Sequence, residues 1–507
     1  MINIKSLKNP FVLHPFLFGL FTTIFLFSHN IHLVKFQDLF SPISIIIITV
    51  TILVVIINLI LKNKKKTALI VSLGLILFFS YGFIYEIIDD SIKSDLMHRY
   101  VIVVFLIVFL ISTFYFIKTH RRLDNATKIV NAVGVVIILI SLSNIAIYSI
   151  EGDSFTNDFS TDNQVITYNK INLPDVYYII LDAYAGTETL ENVFNFDNSK
   201  FYDFLTEKGF YVAKKSHSNY PQTYQSLSSS LNMEYVNYLD SENLQKRQDV
   251  AQKIIENNNV MKNFKSKGYT VININSGWGP TREMPIADMN LCTKYRGIVD
   301  SEFFSMIINK SMLNPVYVKI FEEDRRKLLL CNFSTLTEVS KITDEPLFVF
   351  AHITIPHHPY IFGPNGEKIT PKSLQLGDKV KDKEGYINQL QYTNKLVQET
   401  IEKILAENIN PPIIIIQGDH GSDLSEIPWV FHNEDALRER FSILNAFLIP
   451  DKEKDIFYET ITPVNSFRIL FNHIFNDEYE LLTERQYAAV DQKPWKFVDV
   501  TKIILQN

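Results

Sequence analysis

The sequence predicts a membrane-bound α/β protein, in which an N-terminal bundle of five transmembrane helices precedes a mainly parallel sheet sandwiched by helices. Two features of the 507 residues predict this fold. Residues 1–150 are apolar apart from short charged connectors, whereas the remainder alternates short β-branched runs with helical segments. Such runs are typical of strands that a parallel sheet buries on both faces, and their alternation with helices is typical of an α/β domain.

Five apolar stretches in the N-terminal part are each close to the roughly 20 residues that cross a bilayer. Together they are too many to be a cleaved signal peptide. They comprise residues 11–27, 43–61, 68–84, 100–117 and 129–150. We therefore expect residues 1–150 to form a transmembrane domain that makes the protein integral to the membrane.

Basic residues are concentrated in alternate connectors between these stretches. The connectors richest in Lys and Arg contain Lys5, Lys8, Lys62, Lys64, Lys65, Lys66, Lys118, Arg121, Arg122 and Lys128. By the positive-inside rule these connectors and the N-terminus face the cytoplasm. Because five spans are an odd number, we expect residues 151–172 to be a linker on the opposite side of the membrane. Residues 173–507 then form a periplasmic or extracellular domain. If one span, most plausibly the first, were interfacial instead, this orientation would invert.

Charge and cysteine content narrow the classes of function. The formal net charge is -6 and no long basic run is present, which argues against a nucleic-acid partner. Cys292 and Cys331 are the only cysteines, so a metal site built from clustered cysteines is excluded. They form either one disulfide, if the domain lies outside the cytoplasm, or two unpaired structural thiols.

The most informative stretch is residues 411–423, with the sequence PPIIIIQGDHGSD. Four isoleucines form a buried strand, and the Gly-Asp-His-Gly turn that contains Asp419 and His420 ends it. Ligands in open α/β sheets collect at the carboxyl ends of strands. A carboxylate beside an imidazole suits a divalent ion such as Zn²⁺ or Mn²⁺, although a hydrogen-bonded turn would have the same sequence.

Asp182 stands in the same context, because it follows the apolar run of residues 175–181. It is either a second metal ligand or a cap of the following turn. Thr223 follows Pro221 and opens a segment with helical spacing. It is either an N-cap or a nucleophile, since a hydroxyl at a helix N-terminus lies in a positive potential that favours an alkoxide and an incoming anion. Ser226, one turn later, is the reserve nucleophile.

Three of the 12 histidines lie close together after another strand. Residues 346–352 form that strand and end at His352, and His357 and His358 follow between prolines. This clustering favours a functional site over isolated polar residues. Arg282, in the polar loop of residues 276–290, is either an anion clamp or a surface residue.

Four motifs lie within residues 173–451, in the order LDAY, NYPQTYQSLSSSLN, PHHPY and GDHG. In this order they resemble the motifs of the alkaline phosphatase/sulfatase superfamily. With membrane spans before them, they are similar to the layout of lipoteichoic-acid synthases and phosphoethanolamine transferases. They also resemble sulfatase-like proteins associated with bacterial surface polysaccharides. The resemblance implies an alkaline phosphatase-like fold and a catalytic domain at residues 173–507.

The resemblance also implies the site and its partners. Asp182, Thr223, Asp419 and His420 would bind one divalent metal ion, Mn²⁺ or Zn²⁺, and Thr223 would also be the nucleophile. His357 would contact the substrate anion or protonate the leaving group. The remaining substrate-binding candidates are His352, His358 and Arg282. The implied partners are a membrane lipid donor and a glycan or lipid acceptor of the cell envelope, to which phosphoglycerol or phosphoethanolamine passes through a covalent phospho-threonine.

Three departures from the family pattern limit the resemblance. No C/S-x-P-x-R motif is present, so the formylglycine of true sulfatases cannot form. Asp182 is a single acid where sulfatases usually have a pair, and Asn394 stands where many relatives carry an acid. One complete set of ligands, and not two, is therefore expected. The alternatives are a sulfatase-type hydrolase of sulfuric or phosphoric esters and a catalytically inactive envelope-binding protein.

Overall fold

The computed structural model of the protein divides into two compact units. One unit contains Met1–Phe159 and Gly297–Phe321, and the other contains Ser160–Arg296 and Glu322–Asn507. Apart from residues 151 and 152, the expected linker of residues 151–172 lies outside the described residues, as do Lys5 and Lys8. The structure describes residues 10–31, 34, 36–92, 97–152, 173–240, 248–293, 302–369, 382–408, 410–424, 433–450, 454–490 and 493–505.

The elements follow in chain order, helices and strands numbered separately. The α-helices are α1 His14–His29, α2 Phe40–Leu61, α3 Lys64–Ile92, α4 Met97–Lys118, α5 Asp124–Gly152, α6 Thr187–Asn192, α7 Ser199–Glu207, α8 Thr223–Ser230, α9 Gln248–Glu256, α10 Asn259–Ser266, α11 Gly279–Arg282, α12 Glu302–Asn309, α13 Asn314–Glu338, α14 Lys383–Glu407, α15 Glu434–Phe441, α16 Pro463–Phe475 and α17 Thr501–Leu505. The strands are β1 Val176–Leu181, β2 Tyr211–Val212, β3 Thr270–Ile274, β4 Met289–Leu291, β5 Leu347–Ile353, β6 Ile413–Gly418, β7 Asn445–Leu448, β8 Tyr487–Val490 and β9 Lys493–Asp499.

Four apolar helices in the N-terminal part are long enough to cross a membrane. They cover Phe36–Leu61, Lys64–Tyr85, Arg99–Lys118 and Asp124–Ser149. α1 is apolar but has only 16 residues, so it is shorter than a full span. The described residues therefore contain four helices of spanning length and one shorter apolar helix, where the sequence predicts five spans.

The start of α1 is fixed by polar side chains of α3 and α5. Asn131 of α5 accepts hydrogen bonds from the N–H groups of Leu13, at 3.1 Å, and His14, at 2.9 Å. Its amide also donates to the carbonyl oxygen of Phe11. The Nδ1 atom of His14 lies 2.6 Å from the hydroxyl of Ser72 in α3. These bonds satisfy N–H groups that the first turn of a helix leaves without intrahelical partners.

A seven-stranded mixed sheet organises the second unit. Its strand order is β2-β7-β6-β1-β5-β3-β4. The strands from β6 to β4 run parallel, whereas β7 pairs antiparallel with β6 and β2 antiparallel with β7. The sequence predicts a mainly parallel sheet, and the structure adds this antiparallel edge.

Apolar side chains cover both faces of the central strand β1. Tyr177, Ile179 and Leu181 belong to one core cluster, and the alternate residues Val176, Tyr178 and Ile180 belong to another. Successive side chains of a strand point to opposite faces, so both faces are covered, as the uninterrupted apolar run predicts.

The carboxyl ends of β5, β1 and β6 lie side by side. Leu181 of β1 is in register with Ile353 of β5 and with Gly418 of β6. Asp182 and Asp419, which follow β1 and β6, are therefore brought to the same edge of the sheet. His352 also lies there, at the end of β5.

Cys292 and Cys331 form a disulfide that closes a loop with a sequence separation of 39 residues. Of the two alternatives that the sequence leaves open, the structure has the bonded pair. The disulfide joins the end of β4 to α13.

Candidate metal centre

Asp182 occupies the turn directly after β1. Its N–H donates to the carbonyl oxygen of Ile353, and its own carbonyl oxygen accepts from the N–H of His357, both at 3.0 Å. The next residue, Ala183, has a φ of 60°, so the chain turns sharply. These bonds hold the buried carboxylate between the ends of β5 and β6.

Asp419 and His420 follow β6, as the sequence predicts. One oxygen of Asp419 accepts a hydrogen bond from the N–H of Ala183 at 3.0 Å. The Nδ1–H group of His420 donates to the carbonyl oxygen of Gly421 at 2.9 Å. The lone pair of His420 is therefore on Nε2, which lies 3.3 Å from Oδ2 of Asp419 and 3.7 Å from Oδ1 of Asp182.

Thr223 is the first residue of α8, directly after the extended residue Gln222. Its hydroxyl lies 3.1 Å from Nε2 of His420. The four residues expected to bind the metal, which are up to 238 positions apart in the sequence, are thus neighbours around one imidazole nitrogen. Thr223 also lies at the N-terminus of the helix, where the helix dipole favours negative charge.

His352 is the fifth member of this cluster. Its Nε2 atom lies 3.6 Å from Oδ2 of Asp182. One potential ligand atom from each of Asp182, His352 and Asp419 lies within 4.8 Å of the others. On its other side, Nδ1 of His352 lies 2.9 Å from the hydroxyl of Thr281, which is 2.7 Å from that of Ser276. The sequence places His352 among the substrate-binding candidates, whereas the structure places it among the candidate metal ligands.

Three buried polar atoms of the cluster have no hydrogen-bond partner among the residues that the structure describes. They are Oδ1 of Asp182, Oδ2 of Asp419 and Nε2 of His352. Burying such atoms without a partner costs free energy, and a cation bound between them would satisfy all three. Carboxylate oxygens with imidazole nitrogens suit Zn²⁺ or Mn²⁺. The residues present therefore fit a divalent cation.

The electrostatics of the two carboxylates also fit a cation. Burial raises the pKa of Asp182, but the neighbouring His357, His352 and His420 together hold it below its ordinary value. Burial and the charge of Asp182 raise the pKa of Asp419 to about 7. Two adjacent buried carboxylates resist being ionised together, and a divalent cation removes that repulsion.

His420 is held in the neutral form that ligates metals. Burial, followed by the positive charge of Arg440, keeps its pKa well below the ordinary value. Arg440 is a buried residue of α15 that the sequence interpretation missed. Its guanidinium donates to the carbonyl oxygens of Pro221, at 2.5 Å, and Gly421, at 3.3 Å. It thereby links the loop before Thr223 to the loop that contains His420.

His357 and His358 lie at the edge of the cluster. The Nδ1–H group of His357 donates to the carbonyl oxygen of His358 at 2.6 Å, and its ring centroid is 6.3 Å from that of His420. Burial, followed by repulsion from His357, lowers the pKa of His358 to about 2, so this residue is neutral. The peptide bonds before Pro356 and Pro359 are both cis.

Arg282 ends the short helix α11 and is half-buried. It directly follows Thr281, whose hydroxyl contacts His352. Its role as an anion clamp stays a prediction.

One face of α14 supports the loops of the site. The hydroxyl of Tyr386 accepts from the N–H of Ala185 and donates to the carbonyl oxygen of Ala183, so it holds the turn after Asp182. The amide of Gln389 donates to the carbonyl oxygen of His357 at 2.8 Å.

Asn394, in the same helix, has a structural position. Its side-chain oxygen accepts from the hydroxyl of Tyr184, and its amide donates to Asn198 at 2.7 Å. Asn198 in turn donates to the hydroxyl of Tyr184 at 2.9 Å. An amide thus completes a buried hydrogen-bond triangle at the position where many relatives carry an acid.

Comparisons with known proteins give a family. Residues 175–467 match the family model described as sulfatase. No curated protein sequence matches the chain significantly.

Three solved structures are among those that match the chain. The zinc complex of the C-terminal periplasmic domain of EcEptC from Escherichia coli is 14% identical, with a TM-score of 0.43, and the match covers 64% of this chain and 92% of that one. Lipooligosaccharide phosphoethanolamine transferase A from Neisseria meningitidis is 12% identical, with a TM-score of 0.39 and coverages of 92% and 96%. A 2-O GAG sulfatase is 11% identical, with a TM-score of 0.39 and coverages of 62% and 77%.

The family model covers more than half of the chain, including every residue of the cluster. This match confirms the resemblance that the ordered motifs indicate. The chain belongs to the sulfatase family, within the alkaline phosphatase/sulfatase superfamily.

Proposed function

We propose that this protein is a membrane-anchored, metal-dependent enzyme that transfers or hydrolyses phosphate esters through a covalent phospho-Thr223. The observation that carries the proposal is the position of the Thr223 hydroxyl, 3.1 Å from Nε2 of His420 and beside two buried carboxylates with unpartnered oxygens. A nucleophile at the start of a helix and next to a cation site is suited to attack on an anionic ester.

Asp182, Asp419, His420 and Thr223 would hold one divalent ion, Mn²⁺ or Zn²⁺, and His352 is a fifth candidate ligand. Such an ion would lower the pKa of the Thr223 hydroxyl and neutralise charge on the non-bridging phosphate oxygens. The position of Nε2 of His352, 3.6 Å from Asp182, supports its inclusion.

The residues around the cluster have separate tasks in the proposed reaction. The hydroxyl oxygen of Thr223 forms a bond to phosphorus as the bond to the leaving oxygen breaks. The N–H groups at the start of α8 favour the anion. His357 contacts that anion or gives a proton to the leaving oxygen, and His358 and Arg282 assist in binding. The second half of the reaction transfers the phosphoryl group from Thr223 to the acceptor.

The substrates we propose are components of the cell envelope. The donor would be a membrane lipid that carries phosphoglycerol or phosphoethanolamine, and the acceptor a glycan or lipid. The four apolar helices support a position at the membrane. The sequence contains no C/S-x-P-x-R motif, which argues against the formylglycine chemistry of true sulfatases.

We place residues 1–150 in the membrane as five spans, with α1 as the first. The linker is then residues 151–172, and the catalytic domain of residues 173–507 is periplasmic or extracellular. The basic connectors support a cytoplasmic N-terminus. The disulfide between Cys292 and Cys331 agrees with an oxidising compartment.

Trapping the covalent intermediate tests the proposal. Full-length protein in lipid vesicles is mixed with Mn²⁺ or Zn²⁺ and a phospholipid donor labelled in its headgroup phosphate, then quenched and digested. We expect label on the peptide that contains Thr223, and no label after chelation or in Thr223→Val, which keeps the shape of the side chain. Turnover of the donor by Thr223→Val would refute the mechanism.

Transfer and hydrolysis differ only in the second nucleophile. Membership of the sulfatase family favours keeping the hydrolase as an alternative, in which water replaces the acceptor. If the release of more than one equivalent of diacylglycerol per enzyme molecule depends on the acceptor, the enzyme is a transferase. An inactive envelope-binding protein is the third alternative, and the presence of all the proposed ligands argues against it. Metal-free protein after purification without chelator would favour it.

A further inference from the structure

A segment of the sulfatase part of the chain belongs structurally to the membrane helices. Gly297–Phe321 falls within the stretch that matches the sulfatase family, yet it forms one compact unit with the N-terminal helices. Its described part contains α12, a turn and the start of α13, and we name residues 302–317 the 302–317 hairpin. Cys292 precedes this hairpin in the sequence and Cys331 follows it, so their disulfide links the chain on either side of the hairpin.

Apolar side chains pack one face of the hairpin against the membrane helices. Phe303 and Ile307, four residues apart on α12, are 1% and 5% exposed. They share a core cluster with residues of α1 and α3, including Phe27 and Phe79. The ring of Phe303 meets that of Phe27 edge-on, with centroids 5.8 Å apart.

The turn of the hairpin is bonded to α3 through backbone atoms. The N–H of Gly82 donates to the carbonyl oxygen of Lys310 at 3.1 Å, and the N–H of Met312 donates to that of Phe78 at 2.9 Å. A Cβ atom on Gly82 would lie 2.5 Å from Cα of Lys310. Only glycine permits this close approach of the two backbones.

The position of these bonds along α3 gives the depth of the turn. Phe78 lies 14 residues after Lys64 and 7 residues before Tyr85, the two ends of the apolar span. At the rise of an α-helix these separations correspond to about 21 Å and about 10 Å, within a hydrocarbon core about 30 Å thick. The N–H of Met312 therefore bonds to α3 at the depth of the hydrocarbon, whereas Gly82, which bonds Lys310, lies three residues before Tyr85, about 4.5 Å inside the end of the span.

Several polar groups of the turn are hydrogen-bonded within it, although the buried side-chain oxygen of Asn309 has no partner among the described residues. The hydroxyl of Ser311 donates to the carbonyl oxygen of Ile308 at 2.7 Å and accepts from the N–H of Leu313 at 3.1 Å. The side-chain amide of Asn314 donates to the carbonyl oxygen of Asn309 at 3.0 Å. The ammonium group of Lys310 lies 5.0 Å from the centroid of the Phe83 ring.

Two apolar residues on the outer side of the hairpin are exposed in the described part of the chain. Leu313 and Val316, three residues apart, are 48% and 60% exposed. At the depth of the hydrocarbon, the acyl chains of lipids fit such a surface. We propose that the 302–317 hairpin is re-entrant: it enters the bilayer, returns to the side from which it came, and places Leu313 and Val316 against acyl chains.

Photo-crosslinking to lipid tests this proposal. In full-length protein reconstituted into phospholipid vesicles, Leu313 and Val316 are replaced one at a time by p-benzoylphenylalanine, which reacts with C–H bonds on irradiation. Both residues are exposed, so the replacement disturbs little packing. Phospholipid adducts are measured by mass spectrometry of the intact protein.

Two matched positions calibrate the experiment. Leu110, 56% exposed in the span Arg99–Lys118, is the lipid-facing control. Leu481, 45% exposed in the other unit, is the control outside the membrane. We expect adduct yields at Leu313 and Val316 that match the yield at Leu110 and exceed that at Leu481 several times. Yields no higher than at Leu481, with efficient labelling at Leu110, would overturn the proposal.

Discussion

The two side-chain oxygens of Asp419 make different contacts. The structural role of this residue can therefore be tested separately from its proposed role as a metal ligand. One oxygen accepts from the N–H of Ala183, whereas Oδ2 has no hydrogen-bond partner in the described part of the chain and lies 3.3 Å from Nε2 of His420. An amide in place of the carboxylate keeps the first contact and changes the second.

Asp419→Asn is therefore expected to abolish metal binding and to leave the fold intact. We expect metal affinity to fall by at least about 100-fold, beyond the loss usual for a residue that only supports a ligand. In the presence of chelator at pH 8 the variant should melt at the same or a higher temperature than the unsubstituted protein. The reason is that one of two adjacent buried carboxylates is gone. Metal titration and thermal unfolding measure both effects.

Asp423→Asn, four residues along the same loop, is the matched control. Its metal affinity should equal that of the unsubstituted protein. Full metal binding by Asp419→Asn would show that Asp419 is not a ligand.

Single residues of the site differ in how far the sequence predicts them. Asp182, Asp419 and His420 each follow a buried strand or its turn, so a local pattern identifies them. Arg440 has no such signal. Its partner Pro221 is 219 positions away, and the sequence of its helix is typical of a charged surface helix. The closeness of His352 to Asp182 depends on the register of β5 with β1, which no local pattern gives.

At the scale of elements, α15 aligns two loops through Arg440. Arg440→Met keeps much of the side-chain volume but leaves the carbonyl oxygens of Pro221 and Gly421 without this donor. The loops of Thr223 and His420 can then shift relative to each other. Because a misplacement of about 1 Å can cost about 100-fold in rate, we expect a fall in kcat of that order.

Steady-state kinetics of Arg440→Met with a lipid donor measure this fall. Arg438→Met is the control, since Arg438 lies in the same helix and pairs with the exposed Glu434 at 3.4 Å. An unchanged kcat in Arg440→Met would contradict the alignment by α15.

Gly82 of α3 provides a second prediction at this scale. In Gly82→Ala the new methyl group collides with the backbone of Lys310, so the turn of the 302–317 hairpin must move away. We expect faster hydrogen exchange of the Met312 amide, whose hydrogen bond to Phe78 is then weakened. Mass spectrometry of the full-length protein in vesicles measures this exchange.

Gly74→Ala, in the same helix, is the matched control. Its Cβ would meet only the edge of the Phe109 ring, at 3.3 Å, which a small movement of the side chain can accommodate. Protection of Met312 that is unchanged in Gly82→Ala would show that the turn does not depend on this glycine.

The elements show which patterns predict well. The uninterrupted apolar runs predict β1, β5 and β6 because both faces of these strands are buried. The antiparallel edge formed by β7 and β2 is not predictable from such runs, since the direction of a strand depends on the path of its connections. The 302–317 hairpin is also missed, because α12 has eight residues and reads as a short core helix.

At the scale of the whole molecule, the sequence separates the membrane part from the sulfatase part by composition alone. The two structural units do not follow this division by composition, because Gly297–Phe321 belongs to the N-terminal unit. Phe303 and Ile307 pack against the N-terminal helices, and Gly82 permits a close approach of the two backbones; composition reveals neither contact. The sequence also predicts a complete first span, whereas α1 has 16 residues.

The disulfide is expected to stabilise the folded protein as a whole. The double variant Cys292→Ala, Cys331→Ala frees a loop of 39 residues, and the chain-entropy estimate for that length is about 4 kcal/mol. We expect a lower melting temperature by scanning calorimetry but unchanged metal stoichiometry, because the disulfide contains none of the proposed ligands. The same melting temperature in the double variant and the unsubstituted protein would contradict a stabilising role.

We propose that Asp182, Asp419, His420 and Thr223 jointly bind one divalent cation. Anomalous diffraction from crystals of the full-length protein loaded with Zn²⁺ or Mn²⁺ would locate this ion. We expect one ion in this cluster, with the hydroxyl oxygen of Thr223 at a bonding distance of about 2.0–2.2 Å. An ion bound elsewhere, or a Thr223 hydroxyl beyond bonding distance of the ion, would contradict it.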